Sequence, residues 1–421
     1  MSSDPEGDCR AVAEKPRLPR EVWLLAGANV VVALGYGVVA PVLPQYALHF
    51  GVSLSAATFV ITAFAFMRLV AAPPAGLLAN RLGERRVYIS GLVIVALSTG
   101  ACAFAENYWQ LLVFRTAGGL GSAMFTVSSL GLMIRISPEH ARGRVAGLFS
   151  TGFLIGSVGG PMLGSLTAGL GLSAPFVIYG VALLVAAGVV FVSLRGSTVA
   201  APDPEHEAGV SVRRVLRHRA YLAALFSNFA HGWASFGLRI ALVPLFVVEG
   251  LGHSPGAAGM ALATFAIGNV SAVIPSGYLS DRIGRRKLMI AGLGVAAVTT
   301  VLVGLTTSLP IFLAAAYVTG AATGMFVSPQ QAAVADIIGN KAHGGTAVGT
   351  FQMMADVGSI VGSLVLGLIA EHAAFSWAFV VSGAMLALAA LGWTAAPETR
   401  GRPAVHTPAR AIGPEAGGEV P

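Results

Sequence analysis

Charge is what this sequence has least of. Asp, Glu, Lys and Arg make up 11% of its 421 residues, where a water-soluble chain carries about 25%. Cysteine is almost as scarce. Cys9 lies in a polar stretch and Cys102 in an apolar run, so neither a disulfide framework nor a thiolate metal site can be read. No His-Glu-x-x-His helix and no phosphate-cradling Gly-x-x-x-x-Gly-Lys loop occurs, which argues against metalloprotease and nucleotide-hydrolysing chemistry. Acids are scarcer than bases, 19 against 26, giving a formal net charge of +7. Such an excess suggests nucleic acid when the bases form one soluble patch. Here they sit in short loops between apolar runs, so no nucleic-acid partner is expected.

Apolar length is abundant. Hydrophobic residues make up 55% of the chain, and the mean hydropathy is +0.76. A helix needs roughly 20 apolar residues to cross about 30 Å of hydrocarbon. Twelve candidate spans meet this: 22–46, 54–79, 87–105, 108–134, 145–170, 174–194, 221–248, 255–280, 288–306, 309–336, 345–370 and 375–394. They are continuous rather than alternating, so they read as helices and not barrel strands. The first 20 residues are polar, with Lys15, Arg17 and Arg20 and no short apolar stretch before a cleavage site, so the first span is expected to be its own insertion signal.

All but three of the 26 Lys and Arg fall in the tails and in the loops after spans 2, 4, 6, 8 and 10; the alternate loops hold none. The positive-inside rule then puts both termini in the cytoplasm. The expected class is an all-α polytopic membrane protein with twelve transmembrane helices in two six-helix bundles. Its parts are an N-terminal tail 1–21, a bundle 22–194, a polar linker 195–220, a second bundle 221–396 and a C-terminal tail 397–421. The linker's Arg213, Arg214, Arg217 and Arg219 act either as a topology signal or as a contact for anionic lipid.

The halves repeat. "GLLANRLGERRV" from Gly76 returns as "GYLSDRIGRRKL" from Gly277, 201 residues on. Gly147, Gly156 and Gly160 are matched 202 residues on by Gly349, Gly358 and Gly362, Met124-Phe125 201 residues on by Met325-Phe326, and Pro44 200 residues on by Pro244. A shared offset at separate places indicates duplication.

These motifs resemble those of the major facilitator superfamily, and within it the twelve-span drug/proton antiporters, over residues 22 to 400. The first repeated stretch resembles the family's loop 2–3 signature through Gly76, Leu78, Ala79, Arg81, Gly83 and Arg85; Asn80 stands where the family has an acid, and Glu84 where it has a base. The second copy matches more fully, with Gly277, Asp281, Arg282, Gly284, Arg285 and Arg286. Physically, the glycines permit a tight turn, and an acid there can face the positive N-terminus of a neighbouring helix. Both turns are therefore expected to act as gate latches, the N-half latch being weaker, with Asn80→Asp favouring the outward-open state. "RTAGGLGSA" from Arg115 resembles the span 4 signature, whose arginine the family associates with proton coupling; its repeat counterpart is Ala316, and a snorkelling Arg is the competing reading. Gly147, Gly156, Gly160, Pro161 and Gly164 match the span 5 signature associated with antiport, although a small-residue face also packs helices closely. "PVLP" at Pro41–Pro44 and "PETR" at Pro397–Arg400 are weaker likenesses.

Asp356 is the only acid deep in a span, and Arg68 lies at a matching depth. In the superfamily, spans 2 and 11 adjoin, so the two are expected to pair. Burial favours a protonated Asp and a nearby Arg favours the carboxylate, so a pair that breaks would move a proton, while a permanent pair would only pin the interface. His231 is a second proton candidate, and Asn29, Tyr36, Gln45, Asn228 and Arg239 are candidates for the substrate cavity. The resemblance implies export of drug-like amphipathic small molecules in exchange for protons. It implies no catalytic residue, metal or cofactor beyond the proton gradient, and a monomer in a bacterial inner (plasma) membrane. Three intramembrane arginines against one aspartate leave transport of a small organic anion as the alternative.

Overall fold

The computed structural model describes residues 20–136, 142–193, 215–338 and 345–400, apart from some side chains within them, and regular structure among them is helical. In chain order the helices are α1 Arg20–Val39, α2 Leu54–Leu82, α3 Glu84–Cys102, α4 Tyr108–Ile136, α5 Arg142–Thr167 and α6 Ala174–Ser193 in the N-half. The C-half has α7 Arg219–Gly232, α8 Pro255–Ile283, α9 Arg285–Leu305, α10 Leu309–Ile338, α11 Gly345–His372 and α12 Phe375–Thr394. Among the described residues eleven helical segments are long and apolar enough to cross a membrane, α7 counting with its continuation to Gly250; the apolar stretch described in α5 is the shorter Leu154–Gly164. The tails and linker expected at 1–21, 195–220 and 397–421 lie largely outside the described residues.

Two helices are interrupted where proline dictates it. α1 stops before Pro41, which has no N–H to continue the helix. The chain resumes as Leu43–Leu48 with Pro44 in its first turn, where a missing N–H leaves nothing unpaired. At the matching place α7 passes into a π-helical segment, Trp233–Ile240, and then Val243–Leu245 with Pro244 in its first turn. Wide helical turns of this kind recur at functional sites, and this one carries Arg239. Gly252, Ser254 and Gly256 have the spacing of a hydrolase elbow, but Ser254 here is the N-cap of α8 and follows no strand.

The repeated turns show why glycine stands in both. Gly83 and Gly284 have φ of 85° and 101°, open to glycine and strained for other residues. Each closes the helix before it, Gly83 N–H to the Ala79 carbonyl at 2.9 Å and Gly284 N–H to the Ser280 carbonyl at 3.1 Å.

The glycine ladders seat the fifth helix of each half on the first. A Cβ at Gly156 would lie 2.2 Å from the Ala33 Cβ, one at Gly160 2.5 Å from the Leu34 carbonyl oxygen, and one at Gly164 2.8 Å from that of Val38. In the C-half, a Cβ at Gly358 would lie 2.0 Å from the Phe229 carbonyl oxygen and one at Gly362 2.9 Å from the Trp233 Cα. Backbone touches backbone, so no side chain fits. Pro161 joins this contact beside Gly37. The surroundings of Gly147 lie outside the described residues.

The halves meet along two seams, α2 with α11 and α5 with α8. Buried apolar clusters show which face is shut. One cluster joins both halves at the face away from the Gly83 and Gly284 turns, with Leu43, Tyr46 and Ala57 against Leu242, Leu366 and Ala370. At the basic, turn-bearing face the clusters are separate: Ala75, Ala79, Val87 and Met124 in the N-half, and Tyr221, Met289, Phe326 and Trp393 among others in the C-half. Among the described residues the halves share a buried apolar cluster at one face and none at the basic one.

Candidate translocation site

The α2–α11 seam is polar along its length. From the sealed face inward, the Ser55 N–H donates to Glu371 Oε2 at 2.8 Å, and the Thr62 and Ser363 hydroxyls share a hydrogen bond of 2.6 Å. Arg68 Nη2 then donates to Asp356 Oδ1. That ion pair is the innermost of the three. It uses one nitrogen and one oxygen, and Arg68 Nε is buried without a partner, so it is not the two-point fork that makes Arg–carboxylate pairs firm. The side chains are 29% and 16% exposed, which places the pair at the edge of the parted region. The depth match read from the sequence is a contact here.

The other two intramembrane arginines have no carboxylate partner among the described residues. The Arg115 Cζ lies 4.2 Å from the centroid of the Phe64 ring, with the residue 4% exposed and Nε unpaired. The Arg239 Cζ lies 3.9 Å from the centroid of the Phe265 ring. Phe64 and Phe265 are repeat equivalents, 201 residues apart, but their arginines come from non-equivalent helices. A guanidinium over a ring gains about 0.5–2 kcal/mol, most where water is excluded. Tyr36 on α1 is half-buried and within electrostatic range of Arg115, Arg68 and Arg239 together.

Several expected cavity residues are engaged elsewhere. Gln45 is buried in the sealed face and its Nε2 donates to the Pro41 carbonyl at 2.9 Å, just beyond the end of α1; this corrects its expected place in the cavity. Asn228 is also buried and ties α7 to α11 by donating to the Phe351 carbonyl at 2.6 Å. Asn29 is half-buried on α1 beside Gly152 of α5. His231 sits edge-on to Phe326 with its Nδ1 3.4 Å from the Ser235 hydroxyl. It lines a cavity of about 50 Å³ inside the C-half with Leu238, Arg239 and Phe265, and has no carboxylate partner among the described residues.

At the basic face the repeated turns hold the last helix of each half. Arg85 donates to the Phe191 carbonyl of α6 at 3.1 Å. Its equivalent Arg286 donates to the Trp393 carbonyl of α12 at 3.1 Å and to that of Thr394. A cation on unpaired C-terminal carbonyls is favourable. Gly76 and Gly277 face Val127 and Ser328 on the fourth helix of their halves, and Arg81 and Arg282 are exposed. The acid expected to face a helix N-terminus is not Asp281. Asp281 accepts from Arg285 Nη1 at 2.8 Å, and Arg285 Nε reaches Asp336 at 2.6 Å. The N-terminus of α9 is capped instead by Glu398 of the PETR stretch, which accepts from the Arg285 and Arg286 N–H groups at 2.9 and 3.1 Å. Burial alone would raise the Glu398 carboxyl; backbone N–H donors of Arg400, Arg285, Arg286 and Thr399 outweigh it and hold the group below its ordinary value. The Asn80 side chain lies outside the described residues.

Comparison with known proteins agrees with this architecture. The family model described as Major Facilitator Superfamily matches residues 25–238 and 224–416. The multidrug efflux protein YfmO of Bacillus subtilis is 23% identical over 372 residues, covering 87% of this chain and 90% of its own. The quinolone resistance protein NorA of Staphylococcus aureus is 29% identical over 161 residues, 38% of this chain and 42% of its own. Among solved structures, a bacterial homologue of the human lysosomal transporter Spinster, inward-facing and unoccupied, superposes with a TM-score of 0.75 at 16% identity, covering 89% of this chain and 95% of that one. Its occupied inward-facing form gives 0.72 at 17% identity.

Proposed function

We propose that this chain, which belongs to the Major Facilitator Superfamily, exports drug-like amphipathic small molecules in exchange for protons. It is a multi-pass membrane transporter and not an enzyme. The observation that carries the proposal is the Arg68–Asp356 pair, a one-point contact at the inner end of a seam that must open and close for a central site to face alternate sides. The multidrug efflux relative supports the direction of transport and the kind of cargo.

In this reading the basic face is cytoplasmic, by the arginines of its loops, both termini lie inside, and the membrane is that of a bacterial cell. The described arrangement is then inward-facing. Asp356 beside Arg68 is a carboxylate that has given up its proton to the cytoplasm, and cargo enters the central gap. Rocking outward breaks Ser55–Glu371 and Thr62–Ser363, and Asp356 separates from Arg68. A lone carboxylate in an apolar seam is costly, and a proton from outside neutralises it. The protonated protein returns and re-forms the pair. Each unit of pH gradient supplies about 1.4 kcal/mol per proton, and the membrane potential about 2.3 kcal/mol per charge per 100 mV. The chain acts as a monomer.

The test uses the purified protein in proteoliposomes oriented with the basic face outward and made acid inside. Entry of an amphipathic fluorescent dye that dissipates the gradient supports exchange. A gradient untouched by dye entry, or deepened by it, rejects exchange.

A further inference from the structure

We propose that a cavity at the sealed end of the N-half is a binding site for a quaternary ammonium group, separate from the path between the halves. The cavity measures about 590 Å³ and is lined by Tyr46, His49, Phe50, Glu106, Tyr108 and Ser173 among others. Sites for small ligands span roughly 300–1,000 Å³. The lining comes entirely from the N-half: the short helix after Pro41, the α3–α4 connection with the first residue of α4, and the α5–α6 connection. The proposal does not rest on the exporter reading.

The lining is electron-rich. Tyr46 and Phe50 meet at 66° with ring centroids 5.2 Å apart, and His49 and Phe50 at 67° and 6.1 Å. Rings set so steeply stand as adjoining walls, whereas a parallel stack hides its faces. Tyr108 is held as a further wall by its hydroxyl, which donates to the Ala56 carbonyl at 2.8 Å. Aromatic walls of this kind hold quaternary ammonium groups through the negative faces of the rings. Glu106 brings a full charge. Its carboxylate makes no ion pair or hydrogen bond among the described residues, although its N–H donates to Gln110 Oε1 at 2.8 Å. Asn107 Oδ1 takes the Gln110 N–H at 3.0 Å, so these donors at the start of α4 are already used. The Tyr46 hydroxyl lies 3.5 Å from the carbonyl oxygens of both Ala103 and Ala105, and its one proton cannot satisfy both. Acceptors are thus left over where donors are spent. The duplicate solves the same corner differently. There the ring matching Tyr46 is Phe246, which packs against Phe312, Phe375 and Phe379 with centroids 5.8, 5.7 and 5.1 Å away. The residue matching Phe312 in the N-half is the smaller Leu111, and the one matching Glu106 in the C-half is the uncharged Thr307. Phe104 and Trp109 flank Glu106 along the chain and are 76% and 70% exposed, as aromatic residues at headgroup level are. The ammonium therefore has two sources, a free solute or a choline lipid headgroup.

The experiment uses the intact protein in phosphatidylglycerol nanodiscs without any gradient, at about pH 8, where a histidine ring is ordinarily neutral. Choline and its uncharged isostere 3,3-dimethylbutan-1-ol are titrated, and binding is read by saturation-transfer NMR. Choline should bind saturably and about 10-fold or more tighter than the isostere. Glu106→Gln and Phe50→Leu should each weaken choline about 3-fold or more. Asp356→Asn, at the seam between the halves, should leave choline affinity within about 2-fold. Equal affinity for choline and the isostere in the wild type overturns the proposal, and that comparison needs no variant to fold. Wild-type affinity in a folded Glu106→Gln protein overturns it too. So does a loss with Asp356→Asn as large as with Glu106→Gln, which would put the ammonium between the halves. Replacing half of the lipid by phosphatidylcholine separates the two sources: a fall in the affinity for free choline assigns the site to a lipid headgroup, and an unchanged affinity assigns it to a free solute. Failure of proton exchange leaves each of these readings standing.

Discussion

The two seams between the halves are related by the same internal repeat, yet they are chemically opposite. The ion pair and the hydroxyl pair of the α2–α11 seam have no counterpart at the repeat-equivalent residues of α5–α8. At offsets of 201 and 202 residues, Arg68 and Asp356 correspond to Asn269 and Leu154, Thr62 and Ser363 to Ala263 and Pro161, and Glu371 to Gly169. The ladders within the halves behave the other way: Gly156 and Gly358 meet the backbone of the first helix alike. Packing inside a bundle held both copies to one solution. Between bundles one seam gained charge and the other stayed without it. A charged seam can report whether it is open, because separating its ions changes their protonation; a seam without an ion pair has no such signal.

The largest effect should come from making the seams alike. Asp356→Asn leaves Arg68 a neutral partner of the same shape and removes the group that would carry the proton. Dye entry into proteoliposomes should continue down the dye's own gradient, while the imposed pH gradient should no longer drive it. Gradient-driven entry at the wild-type rate would show that the pair only pins the interface.

Next come the ladders, where the halves should respond equally. Gly156→Val and Gly358→Val each force a side chain into space held by the first helix, with the Ala33 Cβ at 2.2 Å and the Phe229 carbonyl oxygen at 2.0 Å from the Cβ position. Overpacking of this kind costs about 1–3 kcal/mol. Thermal unfolding should fall by similar amounts in both, with Gly100→Val, which has nothing within 4 Å of its Cβ position, as the unaffected control. A loss in one ladder alone would break the equivalence.

A smaller effect is expected where the charged seam is polar but neutral. Thr62→Val with Ser363→Ala removes the hydrogen bond at 2.6 Å and both of its partners. The net loss is about 1 kcal/mol, against the sealed face. Cysteines placed just inside that face should label faster in the double variant; unchanged labelling would mean that the apolar cluster around Leu43 and Leu242 seals it unaided.

Much of this was legible in the sequence. Span lengths, the repeat, the tight glycine turns and the depth match of Arg68 and Asp356 depend on spacing along the chain, which a sequence states directly. What escaped depends on the direction a side chain takes around its helix. Gln45 and Asn228 were read as cavity residues because they are polar, but each donates to a backbone carbonyl, Pro41 and Phe351. The two arginine–phenylalanine stacks were missed, although Phe64 and Phe265 share the 201-residue offset that identified the turns. Glu398 was missed as a cap because it comes from beyond the last helix, over a hundred residues from the N–H groups it satisfies.

The smallest effect concerns the turns, and there the C-half geometry revises the expectation for Asn80. Asp281 works through Arg285, four residues on, at 2.8 Å. In the N-half the residue four beyond Asn80 is Glu84, and the position of Asp336 is taken by Arg135, so both signs are exchanged. An acid at 80 would meet a like charge across the Gly83 turn, where Asp281 meets Arg285, and that repulsion opposes the ~0.3–1 kcal/mol that a helix N-terminus could return. Asn80→Asp alone should therefore leave the labelling of cysteines in the basic-face cavity close to wild type. The same substitution in a Glu84→Gln background should slow it, as the closed form gains. Equal labelling shifts in both backgrounds would mean that residues 80 and 84 do not sense each other, and that the N-half turn is not a sign-reversed copy of the C-half one.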